Sequence, residues 1–66
     1  MPKITLNGEE KSVTSTTVTD LLLELNISLK YVLVEYNGEA VFHKEYSATN
    51  LKDGDRIEVA RPMSGG

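Results

Sequence analysis

Few groups in this chain can do chemistry, and the first is a terminus rather than a side chain. Ser64-Gly65-Gly66 closes the 66-residue sequence with two residues that lack side chains, so such an arm can thread a narrow channel and present a bare carboxylate. With a reference pKa of about 3.3 to 3.7, a free α-carboxylate is ionised at neutral pH and able to attack an ATP α-phosphate. The acyl-adenylate then accepts a sulfur or amine nucleophile. The rival reading is a frayed end, a cloning remnant or coincidence. At about 7% glycine usage, two glycines in a row fall at roughly 0.5% of termini, so chance alone is a weak rival.

The remaining candidates are sparse. The sequence has no cysteine, which excludes disulfides, thiolate metal sites and a cysteine nucleophile, and the single histidine, His43, cannot make a zinc site alone. A lone His43 is either solvated or part of a partner contact. Asp53 and Asp55 flank Gly54 and read as turn formers, not as a carboxylate pair. Phe42 is either tucked into the core or part of an apolar docking patch.

Something must position the tail. A chain of 66 residues is one small domain, and it buries only roughly 60% of its unfolded surface, which leaves little room for a deep active site. Lys3 to Leu6 alternates, and Asn7-Gly8 supplies the two positive-φ positions of a hairpin turn into Glu10 to Val13. Thr17 can N-cap a helix beginning at Val18, with the Asp20 carboxylate accepting from the cap's backbone N–H. Val18, Leu21, Leu22 and Leu25 form one apolar stripe that must lie on a sheet. Asn26 suits the left-handed residue that ends a helix, giving about nine helical residues.

Tyr31 to Tyr36 reads as a strand with Val32 and Val34 on one face and Leu33 on the other, and Asn37-Gly38 repeats the turn signal before Ala40 and Val41. Phe42 to Asn50 is irregular, with Tyr46 and Leu51 as its anchors, and Lys52-Asp53-Gly54-Asp55 turns into a final strand, Arg56 to Ala60. The expectation is an α+β fold in which a mixed sheet of four to five strands carries one main helix on one face. The last strand can then lie parallel beside the first, throwing the C-terminus outward.

Composition narrows the function further. The net charge is −3, and the seven Lys and Arg are scattered, without the basic cluster that gives nucleic-acid affinity. With no apolar leader segment, a soluble cytoplasmic protein without membrane contact is expected.

At Leu6-Asn7-Gly8-Glu9, Thr17-Val18-Thr19-Asp20-Leu21-Leu22, Val34-Glu35-Tyr36-Asn37-Gly38-Glu39, Leu51-Lys52-Asp53-Gly54-Asp55-Arg56-Ile57-Glu58 and the final Gly65-Gly66, the chain resembles the ThiS family. These are the sulfur carriers of thiamin biosynthesis, with a ubiquitin-like β-grasp fold. The resemblance implies a β-grasp domain over residues 1–61 and a flexible Gly-Gly tail over 62–66. It implies that Gly66 is adenylated with ATP by a ubiquitin-activating-like enzyme, given sulfur through a donor enzyme, and used as a thiocarboxylate by thiazole synthase. Gly65, Ser64 and Met63 would thread the partner's channel, and Phe42 and His43 are possible contacts. No catalytic side chain, metal or cofactor is called for.

Two departures stand beside it. Val41-Phe42-His43 occupies the place where the family commonly has Val-Pro-Arg. The tail also resembles that of the small subunit of molybdopterin synthase, and carriers serving cysteine or methionine synthesis share the chemistry. From other classes, a TGS-like binding module and a small enzyme are the rival readings. The module resembles the Leu51 to Asp55 turn but belongs to larger proteins, and the enzyme would need a nucleophile or an acid–base pair in a pocket.

Overall fold

The computed structural model describes residues 1–61. Strand β1 (Lys3–Leu6) turns through Asn7 (φ 49°) and Gly8 (φ 85°) into β2 (Glu9–Ser12). These are the two left-handed positions of a tight hairpin, where asparagine and glycine escape the steric cost other residues meet. The second Asn-Gly pair repeats the geometry. Asn37 (φ 52°) and Gly38 (φ 88°) join β3 (Leu33–Tyr36) to β4 (Glu39–Val41).

Helix α1 spans Val18–Glu24, with Thr17 extended at its N-cap and its hydroxyl accepting from the Asp20 N–H at 3.2 Å. The reciprocal bond expected of Asp20 is not made; its carboxylate accepts from the Thr16 hydroxyl at 3.0 Å instead. The helix closes at seven residues rather than about nine. Asn26 turns left-handed (φ 59°), its N–H donates to Leu23 O, and the Ile27 N–H donates to Leu22 O. That pair of bonds is the Schellman closure, which satisfies the last carbonyls.

β3 begins at Leu33, two residues later than Tyr31, which is exposed. The stretch expected to be irregular contains a 3₁₀ helix, His43–Ala48, whose Tyr46 is buried with its hydroxyl donating to Val32 O at 3.2 Å. Leu51 is buried as well, so both expected anchors hold.

β5 (Arg56–Ala60) completes one mixed sheet in the order β2-β1-β5-β3-β4. It runs parallel to β1, with Leu6 opposite Ile57, and antiparallel to β3, with Val34 opposite Val59 and Tyr36 opposite Ile57. Side chains alternate across a strand, so Ile4, Val34 and Ile57 share the face that meets Val18, Leu21 and Leu22 of α1. Val13, Val32, Tyr46 and Leu51 close the same core. The other face, with Leu33, Glu35 and Glu58, is open to solvent.

Candidate functional site

The expected working residues, Met63, Ser64, Gly65 and Gly66, lie outside the described residues, as does Pro62. What the structure describes is their root. β5 sits in the middle of the sheet, between β1 and β3, and leads to Arg61, the last described residue.

Both turn asparagines reach across to this strand. Asn7 Oδ1 accepts from the Val59 N–H at 2.8 Å, and its Nδ2 donates to Val59 O at 3.2 Å. Asn37 Oδ1 accepts from the Arg56 N–H at 2.7 Å, and its own N–H donates to Arg56 O at 2.7 Å. One asparagine holds the start of β5 from the β3 side, and the other holds its end from the β1 side. Reading them as turn formers alone missed this. The repeated Asn-Gly pair was the only signal available, because Asn7 and Val59 are 52 positions apart.

Asp55, at the start of the strand, is buried. Its carboxylate accepts from the Tyr36 hydroxyl at 2.7 Å, the Lys52 N–H at 2.7 Å and Asn37 Nδ2 at 3.2 Å. Burial alone would raise its pKa, but the bonds from Tyr36, Lys52 and Asn37 and the Lys52 charge outweigh it and hold the carboxyl below its ordinary 3.8. Donating to that carboxylate, with burial and the Asp55 charge adding, pushes the Tyr36 phenol up from 10.0 to about 12. Asp53 behaves as the turn former expected: it is exposed and accepts from the Lys3 N–H at 2.7 Å.

Phe42 is 67% exposed, which overturns the core alternative for it. It stands where β4 gives way to the 3₁₀ helix, with an extended backbone. His43 is exposed, and its ring meets Tyr46 edge-on at 5.2 Å between centroids. Leu33, 71% exposed and paired with Ala60, lies on the open face. A shallow depression there is lined by Asn7, Leu33, Glu35, Glu58, Val59 and Ala60. Among the described residues, no three of His, Asp or Glu gather as metal ligands, and no helix is long and apolar enough to cross a membrane.

Comparison with known proteins bears on this arrangement. The family model described as ThiS family matches residues 4–66. A sulfur carrier protein ThiS from Thermus thermophilus is 39% identical over 61 residues, covering 92% of this chain and 95% of that protein. A thiazole synthase from Paramagnetospirillum magneticum is 38% identical over 65 residues, which is 97% of this chain but 20% of that longer protein. Among solved structures, the crystal structure of thiamine biosynthesis protein ThiS from Geobacter metallireducens superposes with a TM-score of 0.81 at 38% identity, covering 97% of this chain and 99% of that one. The solution structure of a thiamine biosynthesis protein from the same organism gives 0.82 at 38% identity, covering 97% and 87%.

Proposed function

The chain belongs to the ThiS family, the sulfur carriers of thiamin biosynthesis, and on that premise we propose that its working group is the α-carboxylate of Gly66. The carboxylate oxygen attacks the ATP α-phosphate within a ubiquitin-activating-like enzyme, and pyrophosphate leaves. A sulfur nucleophile delivered by a donor enzyme then displaces AMP, forming a thiocarboxylate. The sulfur passes to the substrate held by thiazole synthase, an oxygen atom given up by that substrate takes its place at the Gly66 carbonyl carbon as the C–S bond breaks, and the carrier returns with an ordinary carboxylate.

The observation that carries this reading is that the family match runs through the last residue, Gly66. A carrier-like stretch within a protein named thiazole synthase favours thiazole formation as the destination. On this reading the domain is a co-substrate rather than a catalyst. Residues 1–61 form the body that partners grip, residues 62–66 form the arm, and Gly65, Ser64 and Met63 pass through the activating enzyme's channel. Phe42 and His43 are exposed and available as contacts. Because ATP drives the activation, the cycle belongs in the cytoplasm.

The test is incubation with ATP, magnesium, the adenylating enzyme and a sulfur donor, followed by intact mass and thiol alkylation. Replacing oxygen by sulfur adds about 16 Da, nearly the same as a methionine sulfoxide, so alkylation must decide. With no cysteine in the chain, an alkylated C-terminal fragment is expected from the wild type and none after deletion of Gly66. Protein left unmodified with or without ATP would overturn the carrier reading and return the domain to the binding modules.

A further inference from the structure

β1 ends at Leu6, opposite Ile57, so the β1 side of β5 loses its neighbouring strand just where the chain heads for the tail. The Asn7 N–H still donates to Ile57 O at 3.0 Å, and the Asn7 side chain then takes both the N–H and the C=O of Val59. A single amide does for Val59 what one more residue of β1 would have done. The turn itself does not require this. A left-handed residue at position 7 is served equally by glycine, which carries no amide.

Resting on the carrier reading above, we propose that Asn7 is a positioning residue for sulfur loading: by fixing the Val59 peptide it orders Ala60 and Arg61, the residues through which the sheet leads to the C-terminus. Val59 lies two residues before Arg61. An arm whose root is already ordered loses less freedom when a partner's channel takes it up, and that saving appears as affinity. Asn37 provides an internal control, because it occupies the same position of an Asn-Gly turn at nearly the same φ (52° against 49°) but bonds to Arg56, at the far end of β5.

The experiment compares full-length Asn7→Gly and Asn37→Gly with the wild type; both substitutions keep the left-handed backbone and delete an amide. Hydrogen exchange at the Val59 N–H and relaxation of the Ala60 and Arg61 amides report the root. Steady-state adenylation, with the carrier as the varied substrate, reports the arm. Asn7→Gly should speed Val59 exchange, loosen Ala60 and Arg61, and raise KM about fivefold with kcat unchanged, the signature of lost uniform binding. Asn37→Gly should lose comparable stability and leave KM where it was. Asn7→Asp keeps the acceptor for the Val59 N–H and should fall between, which preserves the test if the glycine variant folds poorly. Equal KM increases in the two glycine variants, or wild-type Val59 exchange and KM in Asn7→Gly, would overturn the proposal. If the wild type itself is never adenylated, the carrier reading fails instead. The exchange and relaxation data still separate the two failures: loosening of Ala60 and Arg61 confined to Asn7→Gly shows that Asn7 orders the end of β5 but removes its role in loading, and unchanged Ala60 and Arg61 overturn the ordering as well.

Discussion

A buried carboxylate is costly unless its oxygens are occupied, and Asp55 has Tyr36, Asn37 and Lys52 bonded to it. Asp55→Ala leaves the Tyr36 hydroxyl and Asn37 amide without that acceptor and should cost about 2 to 3 kcal/mol in urea unfolding at neutral pH. The pH dependence has two signs. Asp55 is lowered from 3.8 in the fold, so its contribution is complete above 3.8 and is lost as pH falls through the lower folded value. Tyr36 is raised from 10.0 to about 12, so its contribution is complete below 10.0 and is lost as pH rises toward 12. Unfolding midpoints across both limbs should show Tyr36→Phe flattening the alkaline loss. Only part of this was legible in the sequence. Asp53 and Asp55 looked alike beside Gly54, and what separates them is that Asp55 faces Tyr36 and Asn37, 19 and 18 positions away. Local turn chemistry does not report such partners.

Elements with strong local signals came through closely. Of the stripe Val18, Leu21, Leu22 and Leu25, the first three are fully buried, while Leu25 is the helix C-cap and only partly buried; both Asn-Gly pairs and Asn26 adopt the left-handed backbone assigned to them. Leu22 is 0% exposed, so Leu22→Ala should cost about 2 to 5 kcal/mol in chemical unfolding. Errors fell where tertiary packing overrides propensity. Tyr31 and Val32 have strand-like chemistry, yet ladder pairing of β3 starts at Leu33, where β5 supplies Ala60 as partner. The 3₁₀ helix at His43–Ala48 has no side-chain N-cap bond to announce it, and the burial of Tyr46 holds it in place.

At the scale of the molecule, the sheet and helix form the ubiquitin-like β-grasp shared with the Geobacter metallireducens structures. The parallel β1–β5 pairing was readable from a hairpin followed by a crossover; the insertion of β5 between β1 and β3 was not, because strand order depends on pairings the sequence does not mark. Among the described residues, the buried core runs from Ile4 to Ile57. Removal of residues 62–66 should therefore change unfolding free energy by less than about 0.5 kcal/mol, checked by thermal and urea melts. A collapse on truncation would give those residues a structural duty.

The central place of β5 also governs the order of events during folding. The β1–β2 and β3–β4 hairpins can each close from neighbouring residues, but neither touches the other in the sheet, and β5 joins them. Hairpins alone are marginal in water, and contacts spanning the length of a chain are the slow ones to form. During synthesis the two hairpins therefore wait, unjoined, for Arg56–Ala60. The completed sheet and the strand that leads to the C-terminal residues come into existence in the same step.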